Sequence, residues 1–505
     1  MELFTKRHGS KIRAVLSCFD RVVITGTIPG ICHAAGMTQF LYNNGIRIFD
    51  YSKWAEPLRE QIRVNAEQLA QEHGVQIEFI RRKDFRKQKR IKQIISKRGD
   101  HPGLVHIFSA MEPCPSYKPW HDKNSHRTFL KPKDAKCLHY YFYFIDLELG
   151  LCYLRVPTWA PFRLQFSYNG HYQLAAELLR EGIGYKTVDN AFVELEDWDA
   201  AQWLADSIDP ARVHRKLDEV TQQFCPVIRH FPAGYHWSLM QVEYATDIVF
   251  HRQEDLKPIY EELVRTAVHS VKPEDIATFL GRKLTGQYQD EIGNNFHTRI
   301  QGTRLKHQMG KVAIKMYDKH AMILRIETVA NNVSFFKHHR KVEHRDGTWT
   351  MKTASMKKSI YSLLPLLGLM WASNQRYLKF ISSIDDPTMA LKELEKISKP
   401  ARDSKRTYRG FNLFHGDDLG LFLTLVRGEF NISGFHNASI RMHLRGKTPQ
   451  QISRLIKRLR KHGLIRKIRN TYKYYLTTIG RRIILTALKL REMFIIPYLR
   501  GSLSS

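Results

Sequence analysis

The sequence predicts an α+β protein of several domains: a mixed α/β amino-terminal body with β-rich segments, a helical middle, and a C-terminal module of helices and a β-hairpin. Three observations support this prediction. A chain of 505 residues is too long for one core. A hydrophobic content of 43% is typical of folded globular proteins. Apolar runs with strand-like and helix-like periods follow one another along the chain. We expect domains at 1–100, 101–209, 210–400 and 401–505.

The net charge of +31 is the most informative bulk property. Self-repulsion of this size opposes compaction, so a polyanion is the expected partner, with DNA first and RNA as an alternative. The most apolar window, residues 360–373, is too short to cross a bilayer and contains Pro365, so no membrane partner is expected. Six cysteines without a C-x-x-C pair argue against a disulfide framework and favour a cytoplasmic location.

The first predicted domain begins with strand, helix and strand patterns at residues 19–28, 51–74 and 75–80, which indicate a βαβ unit. A basic arm follows at 81–98, where ten Lys and Arg side chains stand against one Asp. A helix so charged is suited to a polyanion or to full solvation. The candidate nucleic-acid contacts in this arm are Arg81, Arg82, Lys87 and Arg90.

Within the second predicted domain, residues 103–163 have strongly β-type sequence. A polar stretch at 114–136 is predicted to be a loop between the first two strands. Cysteines and histidines in and beside this loop offer a zinc site as an alternative, although their spacing fits no standard finger: Cys114, His121, His126, Cys137 and His139. The aromatic run at 140–144 favours core packing.

Residues 210–290 are predicted to be largely helical. Glu243 and Asp247, four residues apart, would share a helix face, where two like charges need a compensating cation or water. They are therefore candidate metal ligands, together with Asp20 at the end of the first strand.

The C-terminal residues carry the clearest pattern. Two helices are predicted before a third, which starts at Thr448-Pro449 and stops at Gly463, and a short β-hairpin follows. This order is that of a winged helix-turn-helix, and residues 417–498 resemble its MarR-like branch. The resemblance implies a DNA-binding module and a homodimer. Polar side chains expected to face DNA from the third helix are Gln450, Gln451, Ser453, Arg454, Lys457 and Arg458, and those from the wing are Arg466, Lys467, Arg469 and Lys473.

The stretch 302–328 reads as two apolar strands hinged at Asp318-Lys319-His320. It brings Tyr317, Asp318 and Glu327 into one segment with several cationic side chains. A tyrosine can attack a phosphodiester, and carboxylates can hold the divalent ion that offsets the developing charge. One further carboxylate, Asp20 or Glu243, would have to complete such a site.

The same stretch resembles part of the replication initiators of rolling-circle plasmids and phages, in which a Gly-Ser-Arg-like strand precedes a Tyr-Asp-Lys strand and an Arg-x-Glu strand. The resemblance implies metal-dependent nicking or joining of DNA by Tyr317, with Mg²⁺ or Mn²⁺. Alternatives remain open. The hairpin can be structural, with Tyr317 packed and Glu327 paired with Arg325 or Lys319. The protein can be a non-catalytic transcriptional regulator or an RNA-binding protein.

Overall fold

Strands and helices alternate along the whole chain, and each is named here in chain order. The strands are β1 Ile12–Thr27, β2 Ile77–Phe79, β3 Gly103–Asp122, β4 Arg127–Asp146, β5 Gly150–Pro157, β6 Leu164–Tyr168, β7 Tyr185–Thr187, β8 Phe192–Leu195, β9 His236–Phe250, β10 Phe296–Gln301, β11 Arg304–Met309, β12 Val312–Lys319, β13 Ile323–Ala330, β14 Lys337–Glu343, β15 Trp349–Ser355, β16 Ala401–Asp403, β17 Arg406–Tyr408, β18 Ile465–Lys467 and β19 Tyr474–Leu476.

The α-helices lie between and after these strands. They are α1 Glu2–His8, α2 Ala34–Asn43, α3 Tyr51–Glu72, α4 Lys87–Arg98, α5 Gly170–Arg180, α6 Trp198–Asp206, α7 Pro210–Phe224, α8 Gln253–Ser270, α9 Pro273–Phe279, α10 Leu363–Ser383, α11 Gly416–Leu425, α12 Asn437–His443, α13 Pro449–Lys461 and α14 Thr478–Leu490. The predicted α+β class is therefore confirmed, since helices flank a large mixed sheet.

The computed structural model describes residues 2–82, 84–271, 273–282, 296–301, 304–383, 394–403, 406–412, 414–427, 430, 434–444, 446–468 and 471–491. These residues form two compact units. One, the hairpin unit, contains residues 1–15, 246–328 and 369–505, and the other, the sheet unit, contains residues 16–245 and 329–368. Both are assembled from separated stretches, whereas the sequence predicts four consecutive domains. The first two predicted domains fall in one unit because β1 pairs with β6, almost 150 residues away.

The sheet unit is built on strands in the order β1-β6-β5-β4-β3-β2. All neighbours are antiparallel except β2 and β3, which run parallel. The strand, helix and strand predicted near the N-terminus are present, but they do not form a βαβ unit, because β2 pairs with β3 and not with β1. Helix α4 packs its buried Ile91 against β3 and β4 residues such as Phe108 and Tyr143.

Two sequence predictions in the sheet unit are wrong. Residues 114–136 are not a loop: β3 and β4 continue through them as one long hairpin that turns at 123–126. Prolines at several positions of these strands hid the β pattern. Residues 236–250 are not a helix but the strand β9, whose second half is buried on both faces, so that no alternation shows in the sequence.

The aromatic run at 140–144 is confirmed as core, because all five side chains are buried. Phe142 stacks on Phe224 of α7. The zinc alternative gains no support: among the described residues, the cysteines and histidines of the β3–β4 hairpin do not come together as three ligands. No described helix has the length and apolarity needed to cross a membrane.

The hairpin unit contains the meander β10-β11-β12-β13. The sequence predicts two strands at 302–328, but the structure has three there, because β11 pairs with β12 ahead of β13. The tight turn between β12 and β13 holds His320 and Ala321 at positive φ (58° and 57°). Gly302 and Thr303, the first residues of the resembling segment, lie outside the described residues.

The end of the hairpin unit folds as three helices, α11, α12 and α13, followed by the hairpin β18–β19 and by α14. Each predicted element is present within a few residues. Thr448 caps α13 by a reciprocal capping box with Gln451, and Gly463 ends the helix with φ of 70°. Helix α13 buries Ile452, Ile456 and Leu459 in a common apolar core with α11, α12 and α14.

Candidate functional sites

The first candidate site lies on strands β12 and β13 of the hairpin unit. Because alternate residues of a strand share a face, Lys315 and Tyr317 project together from β12. Both reach Glu327 of β13: the Tyr317 hydroxyl donates to Oε2 at 2.8 Å, and Lys315 Nζ donates to Oε1 at 2.7 Å. Glu327 is 1% exposed, so these donors satisfy a buried carboxylate.

Arg304 adds a further positive charge beside the tyrosine. It stands directly opposite Tyr317 in the β11–β12 register, and its guanidinium carbon lies 4.9 Å from the centre of the Tyr317 ring. The tyrosine is partly exposed, and Arg304 is exposed. A phenol with a carboxylate on its hydroxyl and two cations nearby has the groups with which a tyrosine can attack a phosphate.

Asp318, the third predicted catalytic residue, does not join this group. It points to the opposite face of β12, beside Tyr260 of α8, where the backbone N–H of Ala321 bonds to it. Burial raises the pKa of Asp318 above its usual value. The sequence named the three residues as one catalytic set although it did not predict Asp318 and Glu327 to be adjacent, and the period of two in a strand also separates Tyr317 from Asp318.

Glu327 and Arg325 each have strong partners within the hairpin unit. Glu327 contacts Lys315 and Tyr317, whereas Arg325 donates to both oxygens of Asp247 at 2.5 and 2.6 Å. Arg325 is fully buried and Asp247 is 2% exposed. Asp247 is thereby committed to a buried ion pair, which argues against its predicted role as a metal ligand.

The second candidate site lies in the sheet unit, where Asp20 of β1 and Glu243 of β9 place carboxylate oxygens within 4.8 Å of each other. Both residues are buried, at 9% and 8% exposure. Two adjacent buried carboxylates repel each other unless cations or hydrogen-bond donors compensate. The sequence identified both residues as candidate metal ligands, although it placed Glu243 on a helix.

Polar side chains position this carboxylate pair. Oδ1 of Asp20 accepts from Asn169, at 3.3 Å, and from Asn190, and Nδ1 of His171 lies 3.0 Å from the same oxygen. Oε1 of Glu243 accepts from Gln241 at 2.5 Å. Carboxylates that are themselves hydrogen-bonded by outer groups are characteristic of metal sites, and an all-oxygen pair suits Mg²⁺ or Mn²⁺. The sequence did not reveal Asn169, Asn190 or His171, because they are far from Asp20 along the chain.

The third candidate site is the exposed face of α13 in the hairpin unit. Gln450, Arg454 and Lys457 are exposed, as predicted. Gln451 and Ser453 are also exposed, but their side chains have structural partners: Gln451 caps the helix and Ser453 accepts from Asn437 at 2.8 Å.

The prediction that Arg458 faces DNA is wrong. Arg458 is 8% exposed and faces inward, where its guanidinium donates to Asp418 at 2.7 and 2.9 Å and to backbone oxygens of Arg409 and Gly410. The amphipathic pattern of α13 predicts that its polar side chains face solvent. Arg458 instead faces the interior because it pairs with Asp418 of α11.

The wing and the basic arm complete the predicted contacts. Arg466 and Lys467 of β18 are exposed and Lys473 is half-buried, while Arg469 lies outside the described residues. In the arm, Arg81 and Arg82 are exposed. Arg90 pairs with Glu78 at 3.1 Å.

Lys87 is the member of the basic arm least suited to an external phosphate. Its Nζ lies 3.2 Å from the centre of the Tyr141 ring and 3.6 Å from Glu112. Burial lowers its pKa although Glu112 opposes the shift. The predicted DNA contact at Lys87 is therefore an internal packing contact.

No protein-family model, curated protein or solved structure matches the chain. The functional assignment therefore depends on the geometry of these three sites.

Proposed function

We propose that the protein binds duplex DNA through its C-terminal module and breaks one strand by attack of Tyr317 on a phosphodiester. The observation that carries this proposal is the hydrogen bond from the Tyr317 hydroxyl to Glu327, with Lys315 on the other carboxylate oxygen. Tyr317 is only partly buried and Arg304 beside it is exposed, so a phosphate can approach both side chains from solvent.

The chemistry follows from the roles of these groups. Glu327 accepts the phenolic proton as the Tyr317 oxygen bonds to phosphorus, and the 5′ or 3′ oxygen of the neighbouring nucleotide leaves with the electrons of the broken P–O bond. Arg304 and Lys315 offset negative charge on the phosphate oxygens. The strand end stays joined to Tyr317 until a hydroxyl attacks the same phosphorus, so that one site serves both nicking and joining.

A divalent cation would suit the carboxylate pair of the sheet unit. Asp20 and Glu243 would hold Mg²⁺ or Mn²⁺ there, and such an ion would offset negative charge on a phosphate bound to it. The hydrogen bonds from Asn169 and Asn190 to Asp20 would fix the carboxylate before the ion arrives.

The C-terminal module supports DNA as the substrate. Its order of three helices and a β-hairpin is that of a winged helix-turn-helix. The exposed face of α13 carries Gln450, Arg454 and Lys457, which can contact base edges and phosphates in a major groove, and Arg466 and Lys467 extend from the wing. This surface favours duplex DNA over RNA, whose deep major groove does not admit a helix.

The test is incubation of the full chain with supercoiled plasmid and Mg²⁺ or Mn²⁺. We expect relaxed circles and a protein–DNA adduct that survives denaturant, and we expect Tyr317→Phe to lose both. Tyr42→Phe, which alters a tyrosine that is 77% exposed, is the matched control and should retain activity. An adduct that persists in Tyr317→Phe would contradict the assignment. Sequence-specific duplex binding without relaxation under either metal would favour the non-catalytic regulator.

A further inference from the structure

The hairpin β14–β15, here called the basic ribbon, is a two-stranded sheet of its own. Residues 337–355 contain five Lys and Arg, three His and two acids. A two-stranded hairpin has little apolar surface with which to stabilise itself in water. Packing alone therefore does not explain why this exposed ribbon is present, and a binding role is a physical alternative.

The turn of the basic ribbon is well formed. Gly347 adopts φ of 80°, and Asp346 accepts from the backbone and the hydroxyl of Thr348 at 3.0 and 2.7 Å. His344 bonds to Thr350 at 2.7 Å across the base of the turn. Arg340 donates to the backbone oxygen of Ser355 at 3.1 Å. The ribbon is thus a defined structure that presents fixed faces.

The two faces of the ribbon differ. Cross-strand partners share a face, and in the observed register one face carries the pairs Lys337–Ser355, His339–Thr353, Lys341–Met351 and Glu343–Trp349. All eight of these side chains are exposed, whereas several on the other face are half-buried. Trp349 is 49% exposed and Met351 is 60% exposed.

On this exposed face an aromatic ring lies beside a lysine. Nζ of Lys341 is 4.7 Å from the centre of the Trp349 ring, and Lys337 stands two pairs further along the same strand. The single carboxylate of the face, Glu343, is at the turn end. An exposed aromatic ring next to cationic side chains is a combination by which proteins bind unpaired bases and their phosphates.

We propose that this face of the basic ribbon binds single-stranded DNA, with a base stacked on Trp349 and phosphates paired with Lys337 and Lys341. The net positive charge of the face favours an anionic partner over a second copy of the same ribbon. The inference goes beyond duplex binding by the C-terminal module, and it does not depend on whether Tyr317 cuts DNA.

The test measures fluorescence anisotropy of a labelled oligothymidine of about 16 nucleotides with the full chain. Trp349→Ala should weaken binding by between about 5-fold and about 150-fold, because stacking on one aromatic side chain accounts for that range. Trp349→Phe, which keeps a stacking ring, should recover most of the affinity. Trp203→Ala is the matched control, since Trp203 is 68% exposed but its helix, α6, carries Asp199 and Asp206.

Two further measurements separate the partner classes. Duplex binding should be unchanged in Trp349→Ala, and Lys337→Gln with Lys341→Gln should reduce the salt dependence of oligothymidine binding. Unchanged oligothymidine affinity in Trp349→Ala would overturn the inference, as would an equal loss for duplex and single strand. Tighter binding of oligouridine than of oligothymidine would assign the ribbon to RNA instead. The ribbon is tested by the oligothymidine affinity of Trp349→Ala and nicking by the covalent adduct lost in Tyr317→Phe, so failure of nicking and failure of the ribbon give different results.

Discussion

Arg458 of α13 donates to both carboxylate oxygens of Asp418 in α11, at 2.7 and 2.9 Å. Asp418 is fully buried, and Arg458 is 8% exposed. The same guanidinium carbon lies 3.8 Å from the centre of the Phe411 ring. An arginine in the middle of the most basic helix of the module therefore holds the module together, while its neighbours Arg454 and Lys457 face solvent.

Substitution of Arg458 should therefore reduce the stability of the module, whereas substitution of Arg454 should reduce DNA binding. Arg458→Ala leaves the buried Asp418 charge without its main partner, so we expect the α11–α13 core to lose about 3–5 kcal/mol. Native-state hydrogen exchange of the amides in α11 and α13 measures this as a lower free energy of opening. Arg454→Ala should leave the exchange unchanged and weaken duplex binding. Equal effects of the two substitutions on exchange would contradict this division.

The same ion pair gives the module an acid sensitivity. Burial alone would raise the pKa of Asp418, but hydrogen bonds from Arg458 and from the backbone of Asn412 outweigh it and lower the pKa. A carboxyl whose pKa is lower in the folded state stabilises the fold above its unfolded pKa, near about 4, and loses that contribution as pH falls through the folded value. Protection of α11 and α13 should therefore decline below about pH 4. Asp418→Asn should remove this decline.

A second pH dependence comes from His307 in β11, whose pKa burial lowers from 6.5 to about 4. The neutral ring bonds to Thr298 and Tyr377, at 3.0 and 3.1 Å. Since the unfolded chain takes up the proton first, stability should fall between about pH 6.5 and about pH 4, by at most about 1.4 kcal/mol per pH unit for this group. Urea unfolding across that interval tests this, and His307→Gln should flatten the curve. An unchanged slope in the variant would show that His307 does not titrate in this range.

Local signals explain what the sequence could predict. Thr448-Pro449 and Gly463 delimit α13 through caps and a positive φ, which depend on adjacent residues alone. Tyr317 and Glu327 were recognised by residue type, but their contact depends on the register between β12 and β13. That register is set by a turn at His320 and Ala321, which no glycine marks.

Long-range partners explain what the sequence could not predict. The inward orientation of Arg458 depends on Asp418, forty residues away, and the burial of Asp247 depends on Arg325. β9 was predicted as a helix because its second half is buried on both faces, so that apolar residues occur without alternation. In each case tertiary contacts override a pattern that is correct only for an isolated element.

Asp247 and Arg325 form the most deeply buried ion pair of the hairpin unit among the described residues. Asp247→Ala leaves a fully buried guanidinium and should cost about 3–5 kcal/mol, whereas replacing both partners by Leu and Met should cost less or even stabilise. Thermal unfolding of the two variants measures the difference. A double variant that is less stable than Asp247→Ala would contradict the argument. Manganese binding should persist in the double variant, because Asp247 is committed to Arg325.

The outer hydrogen bonds to Asp20 provide the sharpest test of the carboxylate pair. Asn190→Ala removes one donor to Oδ1 of Asp20 without removing a carboxylate, so the fold keeps both candidate ligands. If Asp20 and Glu243 bind a cation, loss of this orienting bond should lower Mn²⁺ affinity by about 10- to 100-fold in calorimetry of the full chain. Asn124→Ala, at the exposed tip of the β3–β4 hairpin, is the control and should bind as the unmodified chain does. Asp20→Asn should abolish binding altogether. Equal Mn²⁺ affinity in Asn190→Ala, Asn124→Ala and Asp20→Asn would contradict the cation site, because a metal ligand cannot lose its charge or its orientation without effect. The Asn169 and Asn190 bonds would then only satisfy a buried charge.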